Sequence, residues 1–387
     1  MAPVVGEVAV VAVIDRLIIL AACWGVSLPL LAAVLPEERA DIMYHHFEGG
    51  GVEVDGPAVL VRKSIGDSVS LKAKYYVDTI SSASVDVMSS ASPYTEERTE
   101  TDISVDYLRN RTLMTLAYNK SDESDYLSQT GSFDISHDMF GDLTTVSLGY
   151  SVGSDDIGNN TDESFSKSAN RQNFRLGLTQ ILTKNSLLSV NFETISDEGF
   201  LHSPYRSYRY LDDTGVILTA AEKYPETHIS NALALYLKYY LSYRAALSGG
   251  YRYYSDTWGV KASNMEIGYT HPFWEVWTFD VHYRYYTQTA ADFYSDLFSR
   301  VGGKNYMARD KELSTFKDQT LGFGVSYEFK PDSWQFIDRG SLNFELDYMK
   351  FNYKDFRDAS DKGATAGQEP LYAFSANVIK AFLSIWY

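Results

Sequence analysis

Ionisable side chains recur at every second position along several short segments of this sequence. Asp280, His282 and Arg284 form one such series, and Glu345 with Asp347 begins another. Because alternate side chains of a β-strand lie on the same face, each series would present acids and bases side by side. Such a face could bind water and ions along a channel, or supply the histidine and carboxylate of a hydrolase.

The same two-residue spacing defines a larger set of side chains that we expect to line a polar lumen. The set holds eight acids, five bases and one histidine, an acidic excess that weakly favours cations. The alternative is an ion-paired network that stiffens the wall and conducts nothing. The candidate lumen-lining residues are Lys72, Lys74, Asp102, Asp106, Arg175, Glu193, Arg252, Glu266, Asp280, His282, Arg284, Glu328, Glu345 and Asp347.

Hydrolytic catalysis would need more than this pattern provides. No serine partner for His282 is evident from the sequence, and an isolated histidine is more often hydrogen-bonded within a wall. The enzyme hypothesis therefore requires a serine or a carboxylate within hydrogen-bond reach of His282. A single cysteine excludes a disulfide framework and a zinc cluster. We assign no catalytic residue, cofactor or metal ligand, and we expect that the protein is not an enzyme.

The residues between the charged positions are apolar and often aromatic. In the segment 276–288 they are Trp277, Phe279, Val281, Tyr283 and Tyr285. Many short segments of this kind, with no amphipathic helix between them, are typical of a transmembrane antiparallel β-barrel with lipid outside and a polar lumen inside. A soluble β-sandwich would also alternate, but would need fewer interfacial tyrosines than the 30 present. We therefore predict an all-β barrel of the outer-membrane type.

The joints between these segments alternate in length, as periplasmic turns and outer loops do in such barrels. Long polar joints separate the short ones. The predicted tight turns are centred on Gly66, Asn110, Gly141, Lys184, Tyr243 and Trp274.

The number of strands follows from this alternation. Fifteen segments lie between residues 57 and 387, and single-chain bacterial barrels have even counts. Residues 41–47 can supply a sixteenth strand that pairs with the C-terminal strand, with Gly49–Gly51 as the reversal. The alternative has fourteen strands, with the N-terminal segment folded into the lumen as a plug. Pro57 is expected at a strand end, because a proline within a strand removes a ladder hydrogen bond.

The two ends of the chain indicate secretion and membrane assembly. Residues 17–34 are apolar and follow Arg16, which predicts a signal peptide over 1–33, cleaved near Ala33. Residues 34–56 are then the N-terminal segment, and 57–387 the transmembrane barrel. The C-terminus alternates up to an aromatic last residue, which is typical of the signal that the outer-membrane assembly machinery recognises. This predicted assembly signal is Ile379, Ala381, Leu383, Ile385 and Tyr387.

These features predict an integral protein of the Gram-negative outer membrane, in contact with the lipid bilayer and lipopolysaccharide. The net charge of −17 argues against a nucleic-acid partner, which would select a basic surface.

Two long joints, 197–226 and 289–311, combine arginine with aromatic residues. This combination suits recognition of a glycan or a protein partner. Alternatively, one of these loops folds inward as a constriction, or both shield the barrel from lipopolysaccharide. The candidate outer-loop recognition residues are Tyr205, Arg206, Tyr208, Arg209, Tyr210, Phe293, Tyr294 and Arg309.

Several short stretches resemble a family of bacterial outer-membrane β-barrels known as domain of unknown function 3570. They include Gly49–Gly51, Val54–Pro57, Asp197–Phe200, Asp256–Gly259 and Gly268–Pro272. The resemblance implies an outer-membrane location and identifies no catalytic residue. It also implies an association with a small envelope lipoprotein, a flavin transferase and a thioredoxin-like protein, and hence an envelope redox partner.

Three functions remain open on the sequence alone. A porin-like channel or transport conduit predicts an unobstructed lumen. A non-conducting scaffold that docks an envelope partner predicts a plugged lumen with an adhesive aromatic patch on the loops. The third is a barrel enzyme, on the condition given above for His282.

Overall fold

The computed structural model describes residues 34–82, 94–330, 336–361 and 363–387. The predicted signal peptide lies outside the described residues. The described chain is almost entirely β-strand, with one short 3-10 turn at Lys311–Leu313. None of its helices is long and apolar enough to cross a bilayer.

Sixteen antiparallel strands close into a barrel, which confirms the predicted fold class and strand number. Neighbours in sequence pair with each other, except that β9 pairs with β12, and β18 pairs with β1 to close the ring. A separate hairpin of β10 and β11 lies in the connection between β9 and β12. The strands are β1 (Arg39–Gly49), β2 (Val52–Ile65), β3 (Val69–Ser82), β4 (Tyr94–Arg109), β5 (Thr112–Asp122), β6 (Tyr126–Met139), β7 (Thr144–Ile157), β8 (Lys167–Thr183), β9 (Ser186–Gly199), β10 (Ser207–Leu211), β11 (Ile217–Ala221), β12 (Thr227–Tyr240), β13 (Ala246–Asp256), β14 (Lys261–Phe273), β15 (Trp277–Gln288), β16 (Phe316–Phe329), β17 (Arg339–Arg357) and β18 (Leu371–Trp386).

Alternate side chains of each strand lie on opposite faces of the wall. Large apolar side chains on the outer face are exposed, such as Val281 at 45%, Ile267 at 61% and Leu321 at 56%. Such exposure is costly in water and favourable in hydrocarbon. The protein is therefore an integral outer-membrane barrel. The short turns and the C-terminus share one end of it, the periplasmic end, and the long connections lie at the outer end.

β1 closes the barrel, as the sequence predicted. All eleven residues from Arg39 to Gly49 pair with β18 on one side and with β2 on the other. Ile42 and Tyr44 lie on the outer face, while His45 is buried on the inner face. Gly50 and Gly51 have φ of +61° and +79°, which suits a two-residue hairpin turn. The alternative of fourteen strands with an N-terminal plug is wrong.

Pro57 lies inside a strand, and the prediction that it ends one is wrong. β2 begins at Val52, and its pairing with β3 skips Gly56 and Pro57. The carbonyl oxygen of Val77 approaches Gly56 so closely that a Cβ there would overlap it. Pro57, which has no backbone N–H, thus lies in a gap in the β2–β3 ladder, where no hydrogen bond is lost.

The closing seam is reinforced at the periplasmic end. Glu38 pairs with Lys63 of β2, and Glu37 pairs with Arg339 of β17. The Lys63 ammonium also lies 4.9 Å from the ring centroid of Tyr387. The segment before β1 therefore links β2 to β17 across the seam, and Lys63 of β2 also contacts Tyr387.

We predict that deleting residues 35–56 abolishes barrel assembly. The deletion removes β1 and leaves two strand edges whose backbone groups find no partner in hydrocarbon, at several kcal/mol each. Heat-modifiable migration on gels measures assembly. Deleting Ser207–Ala221, which lies outside the barrel ladder, is the control and should leave this migration intact. If the protein without 35–56 still migrates as a folded barrel, β1 is dispensable for closure.

Candidate functional site: a charged lumen beneath a loop cap

All fourteen candidate lumen-lining residues lie on the inner face of the wall. On β3, for example, Lys72 and Lys74 alternate with Leu71 and Tyr75, which are exposed on the outer face. Their role as the lining of a path for solutes stays a prediction. Their contacts include ion pairs between adjacent strands and ion pairs that span an intervening strand.

Ion pairs between adjacent strands follow from simple cross-strand geometry, since directly opposite and diagonal neighbours can touch. Several of the predicted residues contact each other in this way, or contact a charged residue that the sequence did not single out. These pairs are Lys72–Asp102, Lys74–Glu100, Arg284–Asp318 and Lys380–Glu345, at 2.7, 3.1, 2.7 and 3.5 Å.

Other ion pairs cross a whole strand at a glycine. Arg175 on β8 binds Asp134 on β6 at 2.8 Å, over Gly149 of β7. A Cβ on Gly149 would overlap the Asp134 carboxylate. The absence of a side chain on the middle strand therefore lets two long side chains meet flat against the wall.

The His282–Asp347 pair has the same construction. His282 on β15 and Asp347 on β17 are 3.1 Å apart, between Nε2 and Oδ1, over Gly322 of β16. A Cβ on Gly322 would overlap both the imidazole ring and the carboxylate. This is the histidine–carboxylate contact that the enzyme hypothesis requires. Because the His282–Asp347 pair is built like the Arg175–Asp134 pair, the structure favours a role for it in stabilising the wall.

A serine motif in the wall lacks the geometry of a nucleophile. Gly149–Gly153 has the G-x-S-x-G spacing, with Ser151 at its centre. The motif lies in the middle of β7, whereas a nucleophile elbow needs a sharp turn from a strand to a helix. The motif therefore supplies no hydrolase site.

Small residues other than glycine serve the same purpose elsewhere. Arg62 on β2 pairs with Asp106 on β4 across Ser70 of β3. Arg252 on β13 lies 3.5 Å from Glu193 on β9, with β12 between them.

Three predicted lumen residues lie outside these ion pairs. Asp280 accepts a hydrogen bond from the Thr270 hydroxyl. Glu328 is exposed near the periplasmic end of β16. Within the described residues, the Glu266 carboxylate makes no hydrogen bond and no ion pair.

We predict that Gly322→Ala destabilises the barrel by about 1–3 kcal/mol, because the new methyl group separates His282 from Asp347 and leaves both poorly paired. Urea unfolding in lipid vesicles, followed by tryptophan fluorescence, measures the free energy. Gly249→Ala is the matched control, since a Cβ at this strand glycine meets no atom within 4 Å. It should be neutral or slightly stabilising. Equal effects of the two substitutions would contradict the bracing role.

A loop cap closes over the outer end of the lumen. We define it as residues 200–226, which include the β10–β11 hairpin, and residues 289–315. Phe293 and Tyr294 of the cap join a buried apolar cluster with Phe47, Val54 and Phe351 of the barrel wall. The two loops therefore fold inward onto the wall, which is one of the alternatives that the sequence left open.

The candidate outer-loop recognition residues are mostly buried within this cap. Tyr208 is 5% exposed, Phe293 6% and Tyr294 9%, and Arg206, Arg209 and Arg309 are buried too. An aromatic patch on the surface of the loops, which the scaffold hypothesis predicted, is therefore not formed by these side chains. The sequence pattern of arginine and aromatics instead marks the core of the cap.

The buried arginines hold the cap together by ion pairs. Arg206 binds Asp310 at 2.8 Å, which joins the two loops. Arg209 binds Asp296 at 2.7 Å and Glu369, in the β17–β18 connection, also at 2.7 Å. Losing one partner of such a pair leaves a buried charge uncompensated, at about 3–5 kcal/mol. The cap is thus fixed to itself and to the rim.

Further contacts attach the cap to other parts of the rim. The Tyr205 hydroxyl binds the Asp125 carboxylate and accepts a hydrogen bond from the Asn160 backbone at 2.7 Å. The cap therefore reaches from the β5–β8 side of the mouth to the β17–β18 side.

A histidine between two aspartates lies in the wall beneath the cap. His228 has its two ring nitrogens 3.3 Å from Asp197 and 3.0 Å from Asp256, and its ring packs on Trp258 at 4.1 Å. Trp258 in turn packs against Phe293 of the cap. The sequence did not single out this cluster, because its residues come from three strands and only the barrel register brings them together.

Burial changes along the barrel axis. Inner-face residues near the outer end are buried around most of the circumference, whereas the Arg175–Asp134 and Arg252–Glu193 pairs at mid-height are 30% to 43% exposed. The buried residues include Phe47, Val54, Ile80, Arg98, Asp155, Asp197, His228, Ala262, Gln288, Asp318, Phe351 and Ala376. Near the periplasmic end, short inner-face side chains such as Ser70, Asp106 and Ser384 are buried again.

Two buried ionisable groups of the cap change its stability in opposite directions as the pH rises. Burial, together with the nearby Asp310 carboxylate, raises the pKa of Glu222 to about 7. Burial lowers the pKa of His202 to about 4. His202 stacks on Tyr224 at 4.8 Å. The ionisation of His202 and that of Glu222 therefore affect the same packed region of the cap.

The sign of each contribution follows from linkage. The raised pKa of Glu222 gives stability that is present below pH 4.5 and is lost as the pH rises through about 7. The lowered pKa of His202 gives stability that is present above pH 6.5 and is lost as the pH falls through about 4. Above pH 6.5 only the Glu222 contribution still changes.

We predict that the cap loosens between pH 6.5 and 8 because Glu222 ionises, and that Glu222→Gln removes this change. Hydrogen–deuterium exchange of residues 217–224, corrected for intrinsic rates, should increase by about tenfold in the wild type. Glu163→Gln, at an exposed loop residue, is the control and should behave as the wild type. An exchange rate in Glu222→Gln that rises as in the wild type would rule out this carboxyl as the cause.

Comparison with known proteins places the chain in a family. The model of a family described as protein of unknown function (DUF3570) matches residues 84–371. The chain belongs to this family. The match confirms the resemblance found in the sequence, and it covers most of the barrel and the whole cap. A search among curated proteins finds no match.

Several solved structures are similar in fold to this chain. A bacterial polysaccharide outer membrane secretin is 7% identical, with 92% of this chain and 99% of that chain covered and a TM-score of 0.49. A FadL homologue of Pseudomonas aeruginosa is 10% identical, with 92% of each chain covered and a TM-score of 0.43. The outer membrane protein OmpT of Vibrio cholerae is 11% identical, with 92% of this chain and 100% of that chain covered and a TM-score of 0.43.

Proposed function

We propose that this DUF3570 barrel is a gated channel that prefers cations and is closed at its outer end by the loop cap. The observation that carries the proposal is the change of burial along the axis. The side chains of Asp134, Arg175 and Glu193 are 43%, 39% and 32% exposed at mid-height, whereas Phe47 and Arg98 nearer the outer end are buried. A water-filled vestibule beneath a closed lid accounts for this difference.

The width and charge of the wall support the cation preference. Sixteen strands enclose enough space for an aqueous path when no element fills it. The spanning ion pairs lie flat against the wall over small residues and so leave the axis free. Carboxylates outnumber bases among the candidate lumen-lining residues, and Glu266 has no compensating ion pair within the described residues. The resulting negative potential attracts cations.

A non-conducting scaffold is the second candidate, and the cap itself favours it. A lumen whose outer half is packed with ion-paired loops could serve to present a periplasmic vestibule to an envelope partner. The burial of Tyr208, Phe293 and Tyr294 speaks against docking through an aromatic loop patch. Opening of the cap separates the two candidates, since a channel requires it and a scaffold does not.

We predict that excising Ser207–Ala221 increases single-channel conductance in a planar bilayer. The excision joins two residues that are already in contact, because the Glu222 N–H donates to the Arg206 carbonyl oxygen at 3.2 Å. It also removes Arg209, and with it the ion pair that holds the cap to Glu369 at the rim. The wild type should conduct little or only in brief openings. The excised variant should conduct steadily and prefer K⁺ over Cl⁻ in a salt gradient, and adding Glu266→Gln should weaken that preference.

Val216→Ser is the matched control, because this residue is exposed at the tip of the same hairpin. It should conduct as the wild type does. A folded excised variant that stays closed would contradict the channel proposal and leave the scaffold. A wild type that already conducts like an open pore would show that the cap is no gate.

A further inference from the structure

The outer face of the β1–β2 hairpin carries a cluster of metal-ligating side chains. His46 and Glu48 of β1, with Glu53 and Asp55 of β2, lie on this face close to the Gly50–Gly51 turn. They follow Ile42 and Tyr44 along the same face, so they lie beyond the apolar band on the outer side of the membrane. The barrel wall separates them from the lumen and from the cap.

Three of these residues can reach a common ion. One ligand atom each of His46, Glu53 and Asp55 lies within 4.8 Å of the other two. His46 and Asp55 are directly opposite in the hairpin register, so the two strands fix their separation. The Tyr44 hydroxyl donates to Oδ2 of Asp55 at 2.9 Å, which orients that carboxylate from the adjacent position on β1.

Within the described residues, the one basic side chain that pairs with the acids of this face is His46, whose Nδ1 lies 3.9 Å from Oε1 of Glu53. Glu48 lies directly opposite Glu53, an arrangement of like charges that destabilises a strand pair. The next residues across on the flanking strands are neutral: Asn377 beside Glu48, and Ser81 beside Glu53. Within the described part of the chain no lysine or arginine pairs with these carboxylates. A bound cation would remove the repulsion.

We infer that His46, Glu53 and Asp55 form a binding site for a divalent transition-metal ion, with Zn²⁺ as the ion of choice. Imidazole nitrogen with carboxylate oxygen is a ligand set that Zn²⁺ accepts, while Ca²⁺ and Mg²⁺ prefer oxygen alone. Three protein ligands leave a fourth position for water or an external anion. The site is open to the cell exterior, so it takes its metal from the medium.

Isothermal titration of the purified barrel in detergent with ZnCl₂ tests this inference. The wild type should bind one Zn²⁺ per chain. His46→Gln and Glu53→Gln should each weaken binding by about tenfold or more, since each removes one of three ligands. His137→Gln is the matched control, because His137 is also a histidine on the outer face of the wall but lies near the periplasmic end of β6. It should bind as the wild type does.

Heat-modifiable migration shows that each variant is folded, and CaCl₂ provides a second titrant. If Ca²⁺ binds as tightly as Zn²⁺ and His46→Gln changes neither, the face is a general acidic surface and the assigned site is wrong. No Zn²⁺ binding by the folded wild type would also overturn it. Neither result bears on the channel proposal, because conductance depends on the inner face and the cap.

Discussion

Closure of the hydrogen-bond ladder is the constraint on which the rest of this structure depends. A strand edge in hydrocarbon leaves N–H and C=O groups without partners, and no water is present to replace them. The polar segment at Arg39–Gly49 must therefore enter the wall, because β2 and β18 would otherwise be edges. Its charged residues then have two places to go, the inner face or the part of the outer face beyond the lipid. His45 takes the first and His46 the second.

A closed barrel of sixteen strands creates a second requirement, which is to fill or hydrate its interior. At mid-height the chain uses ion pairs that span a strand over Gly149 or Gly322. These pairs satisfy long charged side chains without crossing the axis. Near the outer end it uses inward-folded loops with an apolar core and buried arginines. If the protein is the channel that we propose, the first arrangement leaves room for water and the second excludes it, so the permeability barrier lies at the boundary between them.

The sequence was sufficient for features that depend on local alternation. The two-residue period predicted both faces of the wall, and Ile42 with Tyr44 identified the closing strand despite its polarity. It was not sufficient where partners are set by register. Pro57 fits inside β2 only because Gly56 lets the Val77 carbonyl approach. His228 gains Asp197 and Asp256 from strands far apart in sequence. Arginine and aromatics in the loops looked like a recognition surface because burial of a loop cannot be derived from its composition.

The ion pairs of the cap also determine how it can open. Arg206 joins the two loops, and Arg209 joins one of them to the rim through Glu369. Moving one loop alone would break the Arg206–Asp310 and Arg209–Asp296 pairs between the loops, which a joint movement of both loops keeps. Partial opening is therefore unfavourable, and the cap should behave as one cooperative unit. Ionisation of Glu222 acts on this unit as a whole, since it adds a buried charge at the junction of the loops without breaking any single contact.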